Sequence, residues 1–486
     1  MAMVPDLLRL KNIPANFEQK LETTLTETST FQEATDDQEG VCRFDLQRKG
    51  FLHSHSKLFV ALQPPAGQAT ACFPLSIGID KVIKKASLKI GNNVVNEISN
   101  WNSMRMITST HIDNENNVER EYYTSGRCIN HKYLFRQSIT GNAISTSQSG
   151  FQAPLYGIDN GREYDDNAND ASHGTNGGGE GRAGLSMPFA EMIAGQTSES
   201  PTYSIDLSDL FPFLRTHSLP LYMIDQPVFI ELTFERLNRR VSLPTLADAQ
   251  LVNQRYPIDH NELKMCIDYI HYSGDAMARY RDANPVIEFS FPDYRLARFS
   301  STAAALGTLQ VRNLGMANRL VSRVMTEIEA PLATQVGILG SEVMSAPASG
   351  VNVASNAGTF EYNIKYNDKF QFPLSITNKA QLFSHTTRSV GVPFVTRQEY
   401  SGDNAGLSNF YYNRVQQNSV GTGLRGSFFN FGTRLTEGRV GQKGIELHIK
   451  ASGYDANGGR DYIVKTWCEY MRLARLDNGL FTIYNA

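Results

Sequence analysis

Side chains able to do chemistry crowd together at only a few places in this 486-residue chain. His53 and His55 lie two apart, so an extended strand would turn both to one face, where they could hold a metal. No third ligand accompanies them, so a structural or surface role is expected. Asp159, Asp165, Asp166, Asp170 and Glu180 fall in one stretch rich in glycine and asparagine. Calcium loops place their oxygen ligands at fixed positions, and this spacing does not match. A solvated acidic loop is expected. Lys81, Lys84, Lys85 and Lys89 make a small basic cluster that could touch nucleic acid or a membrane. A solvated face is the simpler expectation. Tyr411 and Tyr412 could form a contact patch or pack inside a larger assembly.

Motifs for catalysis are absent from the sequence. There is no phosphate-binding G-x-x-x-x-G-K-[ST], no H-E-x-x-H, no G-x-S-x-G and no dinucleotide glycine pattern after a strand. No catalytic, cofactor-binding or metal-binding residue is therefore assigned, and no enzyme activity is expected. The five cysteines, Cys42, Cys72, Cys128, Cys266 and Cys468, are isolated and odd in number. That pattern fits free thiols rather than a disulfide framework or a zinc site. No N-x-Ser/Thr glycosylation sequon occurs and no apolar stretch approaches a bilayer span. With no cleavable apolar leader at the start, a soluble protein made and used inside a cell is expected. The net charge of -3 gives no global preference for nucleic acid.

The elements that must carry these residues read as strands. Val228, Ile230, Leu232 and Phe234 alternate with Phe229, Glu231, Thr233 and Glu235, the period of a strand buried on one face. Just before it, Leu210-Phe-Pro-Phe-Leu214 predicts a short helical turn plugging the edge of a sheet. Further alternation predicts strands at 43–46, 57–63, 86–90, 265–270 and 287–291. The same pattern recurs through Leu320, Ser322, Val324, Thr326 and Ile328, at 360–366 and 445–449, with a closing strand from Ile463 to about Leu473. Ile98, Trp101, Met104 and Ile107 recur every third residue and predict a helix, with 119–123 as a continuation. Residues 1–40 are expected to form an arm, since 22–39 are mostly Thr, Ser, Gln and acidic. Residues 137–201 and 393–430 read as long surface insertions.

Many short strands and few long helices predict an all-β chain of sandwiches. Two echoes suggest duplication: Phe73-Pro-Leu-Ser-Ile77 with Phe372-Pro-Leu-Ser-Ile376, and Ile230-Glu-Leu232 with Ile445-Glu-Leu447. They occur in the same order in each half.

Three stretches carry a resemblance. They are Phe73-Pro-Leu-Ser-Ile-Gly-Ile-Asp80 running into Ala86-Ser-Leu-Lys-Ile-Gly-Asn-Asn93 and Trp101; the run from Ser204 to Glu235; and Val311-Arg-Asn-Leu-Gly315 through Arg319-Leu-Val321, with Tyr362-Asn363 and Asn367-Asp368 downstream. In this order they resemble the double jelly-roll major capsid proteins of icosahedral DNA viruses. The virophage and polinton-like virus group, relatives of the adenovirus hexon, looks most similar. The resemblance implies two eight-stranded jelly rolls in tandem: a first roll over 41–272 and a second over 273–486. It implies a homotrimeric, pseudo-hexameric capsomer in a virion, with tower loops outside and the arm at the base. Implied partners are neighbouring capsomers, penton and minor capsid proteins, an internal membrane or the double-stranded DNA genome at the base, and a host receptor at the outer loops. Relatives can carry a cleaved C-terminal extension; this chain is expected to lack it or to be the mature form. The rival reading is a carbohydrate-binding or carbohydrate-active tandem β-sandwich. That would need exposed aromatics and paired carboxylates, whereas Trp101 and Trp467, the only tryptophans, sit on apolar-patterned elements.

Overall fold

The computed structural model describes residues 20–63, 78–105, 124–125, 202–237, 240, 255–329, 360–377, 381, 385, 429–435, 439–451 and 461–485. Strands of the first half are β1 (Lys20–Glu27), β2 (Thr30–Gln32), β3 (Gly40–Leu46), β4 (Phe51–Leu52), β5 (Lys57–Val60), β6 (Ile83–Ile90), β7 (Asn93–Ser99), β8 (Tyr203–Asp206), β9 (Val228–Phe234) and β10 (Lys264–His271). Those of the second half are β11 (Val286–Thr302), β12 (Gln310–Gly315), β13 (Val321–Glu329), β14 (Phe360–Tyr366), β15 (Lys369–Phe370), β16 (Phe429–Arg434), β17 (Ile445–Ala451), β18 (Asp461–Asp477) and β19 (Leu480–Asn485). Short α-helices accompany them, among them α1 (Leu207–Leu210), α2 (Pro212–Thr216), α3 (Gly274–Ala283) between the halves, and α4 (Ala303–Leu306).

Both halves pair their strands in one and the same order. The first has sheets β1-β10-β5-β8, with β4 also on β10, and β2-β3-β9-β6-β7. The second has β11-β18-β13-β16, with β19 also on β18, and β12-β17-β14-β15. If β2, β4 and β19 are set aside and the remaining strands of each half are counted in chain order, the two sheets run 1-8-3-6 and 2-7-4-5 in both. That is an eight-stranded jelly roll, built twice. All ladders are antiparallel. The echo of Ile230-Glu-Leu232 in Ile445-Glu-Leu447 falls on β9 and β17, the seventh strand of each roll. Phe73–Ile77, half of the other echo, lies outside the described residues.

Local chemistry accounts for the strands. On β9 the alternating apolar residues are buried and the intervening ones half-buried. Asn478-Gly479 joins β18 to β19 with φ of 47° and 87°, the two left-handed positions a two-residue hairpin needs. Asn367-Asp368, at 52° and 59°, does the same between β14 and β15.

Four expectations are corrected. The arm does not extend to residue 40, because β1 pairs with β10 along its whole length. Its alternation is inverted. Glu22, Thr24 and Thr26 share a face with the buried Tyr269, Ile267 and Met265, while Leu21 and Leu25 point away and are 49% and 64% exposed. Backbone pairing rather than apolar burial makes it a strand. The helix expected from Ile98 begins only at Trp101, since Ile98 belongs to β7. Ile107 and 119–123 lie outside the described residues. On β13 the even residues do not form one buried face: Val321, Val324 and Met325 are all buried. A bulge between Val321 and Arg323 shifts the register. The closing strand is longer than expected, and β19 follows it.

Candidate assembly surfaces

Where the two rolls meet, two sheet edges come together. Strand β7 ends one sheet of the first roll, and β11 ends one sheet of the second. An edge strand presents unpaired carbonyls that must find donors when buried. Side chains supply them in both directions. Arg472 Nη1 donates to Val95 O at 2.9 Å, and Trp467 Nε1 donates to Ser99 O at 3.1 Å. In return Asn96 Nδ2 donates to Pro292 O at 3.3 Å, and His217 Nε2 to Ser290 O at 2.8 Å. Asn93 Nδ2 reaches Phe481 O at 2.6 Å, and Asp225 N reaches Gly479 O at 2.9 Å.

The helical turn expected to plug a sheet edge lies against two of them, the edge strands β7 and β11. It is the pair α1 and α2, and its Phe213 inserts between the rolls. Phe213 lies 4.9 Å from the Phe291 ring, edge-on, and 5.4 Å from Phe289. All three are buried, as is Phe481 beside them.

Under this aromatic cluster lies a polar knot. The Asp293 carboxylate accepts from Arg472 Nη1 at 2.8 Å, Tyr470 Oη at 3.2 Å and Asn96 Nδ2 at 3.1 Å. Asn96 Oδ1 accepts from the Phe213 backbone N at 2.9 Å, which ties the knot to α2. Burial pushes the Tyr470 phenol up to about 12, and the Asp293 charge adds to this. Buried charges persist only when paired and hydrogen-bonded in this way.

A second buried cluster locks the second roll. The Glu469 carboxylate accepts from Tyr294 Oη at 2.6 Å, Arg323 Nε at 2.7 Å and Ser322 Oγ at 2.5 Å. Burial pushes its pKa up, but the Arg323 charge and these bonds outweigh that and hold it below the usual carboxylate range. Such a group adds stability above its unfolded value, near 4.5, and loses it as pH falls through the lower folded value. Through Glu469, the urea midpoint of the protein is therefore expected to stay flat from neutral pH to about 5 and to fall below about 4. E469Q should lower the neutral midpoint and flatten the acid limb; an unchanged acid limb would remove Glu469 from this role.

The sequence candidates fare differently. His53 Nδ1 accepts from the His55 backbone N at 3.0 Å, a turn rather than a ligand pair. Burial lowers the His53 pKa. Among the described residues no group of three His, Cys, Asp or Glu is placed to hold a metal. The basic cluster is matched by carboxylates: Lys84 with Glu39 at 2.5 Å, Lys85 with Glu97 at 2.9 Å and Lys89 with Glu231 at 3.0 Å. Lys81 is buried. Cys42 and Cys468 are buried free thiols and Cys266 is half-buried. Both tryptophans are buried, and Trp101 Nε1 donates to Asp209 O at 3.3 Å. The acidic residues 159–180, Tyr411, Tyr412, Cys72 and Cys128 lie outside the described residues. Sequence reasoning missed the seam residues Asn96, His217, Asp293 and Arg472. Their one signal was a charge set among alternating aromatics, as in Phe289-Ser-Phe291-Pro-Asp293.

No family model matches the chain, and no curated protein matches it. Solved structures do. The mavirus major capsid protein aligns over 100% of this chain and 95% of its own, with 11% identity and a TM-score of 0.51. A chain of the PBCV-1 virus capsid, in its quasi-atomic model, aligns over 98% of both, with 10% identity and a TM-score of 0.51. The described residues thus have the double jelly-roll fold of these viral capsid chains.

Proposed function

We propose that this protein is a major capsid subunit whose work is mechanical. It homotrimerises into pseudo-hexameric capsomers, and these tile an icosahedral shell around a double-stranded DNA genome. The observation that carries this is the repeated roll: two units of identical strand order in contact edge to edge. Three such chains present six similar units, and closed symmetry lets one interface serve three times. Neighbouring capsomers, pentons and minor capsid proteins are its partners, and the virion, assembled in the infected cell, is its location. Contact with the genome or an inner membrane would not run through Lys84, Lys85 and Lys89, because each already faces a carboxylate. The carbohydrate rival lacks a platform in Trp101 and Trp467, which are buried. Negative-stain electron microscopy with light scattering tests the proposal. Three-lobed particles of trimer mass are expected; dispersed monomers at every concentration would overturn it.

A further inference from the structure

The stretch from Leu52 to Ser56 holds both ends of the helical wedge that places Phe213 between the rolls. At one end Leu52 N donates to Leu219 O at 2.8 Å, just after α2. At the other, Ser56 O accepts from Leu207 N at 2.8 Å, the first residue of α1. The same stretch is tied to β10: His53 N donates to Asp268 O at 2.9 Å, and Ser56 Oγ accepts from Asp268 N at 3.0 Å. One short loop thus anchors the whole excursion that fills the joint.

That loop keeps its shape through an imidazole. His53 is buried, and its Nδ1 accepts from the His55 backbone N at 3.0 Å. An accepting Nδ1 means a neutral ring with its proton on Nε2. A second proton would land on Nδ1, set two donors against each other and strip the His55 N–H of its acceptor. The His55 ring lies 5.0 Å away, so two charged rings would also repel. Burial first, and then the His55 charge, lower the His53 pKa against the opposing pull of Asp268 on β10. The other charges nearby have partners of their own. Lys57 on β5 faces Asp206 on β8 at 3.8 Å, Asp209 on α1 faces Arg105 at 3.0 Å, and Glu22 on β1 faces Lys49 and His271.

We propose that His53 makes this loop a proton-operated clasp: neutral, it holds the α1–α2 wedge between the rolls, and on taking up a proton in mild acid it lets the wedge loosen. A histidine held below its usual pKa in the closed state binds a proton more readily once its surroundings open. Closure is therefore complete at neutral pH and is lost progressively as pH falls below the ordinary histidine value of about 6.5. The clasp acts on a joint inside one chain, so it stands whether or not the chain builds a shell. In a shell it ties the firmness of each two-roll block to acidity.

Hydrogen exchange of the full chain, expressed as protection factors and followed from about pH 7.5 to about 5, tests the clasp. Amides of Leu207, Phe211 and Leu214 should lose protection by up to about tenfold per pH unit below ~6.5, the limit for one proton, while those of β17 hold theirs. H53N offers a carbonyl oxygen in place of Nδ1 and cannot titrate, so its wedge should stay protected across the range. D268N keeps the imidazole but removes the charge that favours the proton, so its loss of protection should begin at lower pH than in the native chain. A native wedge whose protection is flat with pH would sink the clasp, as would a loss in H53N equal to the native one. An unmoved transition in D268N would sink it too, since His53 would then not be the group that titrates.

Discussion

Replacing Arg472 with alanine is expected to destabilise the protein by about 3–5 kcal/mol, the cost of leaving a buried charge without its partner. Arg472 spans the seam. One nitrogen reaches the Asp293 carboxylate and the Val95 carbonyl, so its loss orphans an acid and an edge carbonyl together. For a unit of this size each kcal/mol moves the thermal midpoint ~2–4 °C, so calorimetry should find a drop of roughly 10 °C. A single transition should also split in two as the rolls lose their tie. The defect has a pH signature. Burial pushes the Asp293 carboxyl up, and without Arg472 no cation in the knot opposes it. The folded variant then holds a proton that the unfolded chain releases, so its stability falls as pH rises above the unfolded value. R472A should therefore be closer to the native protein at pH ~5 than at pH ~7. Pairing R472M with D293N should recover much of the loss, since an apolar or neutral pair carries no stranded charge. A shift of only ~1–2 °C in R472A, flat with pH, would mean that water enters the seam and solvates Asp293.

The second large effect is expected at Phe213. Truncation of a buried phenylalanine to alanine costs ~3–5 kcal/mol, from lost burial and from the cavity that remains. Here the cavity would open between the rolls, among Phe289, Phe291 and Phe481. F213L should cost less, because it refills most of the volume. A cycle with F291A should show a coupling of ~0.5–1.5 kcal/mol, as rings in edge-on contact do. Hydrogen exchange locates the damage. Amides of β7 and of the first part of β11 should exchange faster in F213A, while those of β9 and β17 keep their protection. Uniform acceleration across both rolls would place Phe213 in a common core rather than at a joint.

The strands that bury one clean face were legible from residue order alone. β9 and β17 alternate through Val228–Phe234 and Ile445–Ile449 because each packs one side on a sandwich core. β1 escaped because its inward positions are Glu22, Thr24 and Thr26, which carry no apolar signal. β13 escaped in detail because a bulge at its start shifts the register and Val324 to Glu327 are all buried, on both faces. The seam was invisible for another reason. Asp293 and Arg472 are 179 residues apart and meet where β11 pairs with β18, while Val95 and Asn96 reach them from the first roll. Asn96 follows the Gly91-Asn92-Asn93 turn and reads as one more turn residue, although it bonds both the backbone of α2 and that of β11. Pattern reports which face of a strand is buried; it does not report what lies beyond an edge.

The seam also sets the order in which an assembly can come apart. Both of its halves belong to one polypeptide, so its closure is unimolecular, with an effective local concentration in the millimolar range or above for a short tether. Dilution cannot touch such an equilibrium, whereas any joint between separate chains weakens in proportion as copies are thinned out. A particle built from this chain should therefore shed whole two-roll blocks and never half-blocks. In a ring of rolls, every second joint is made before the first encounter between molecules.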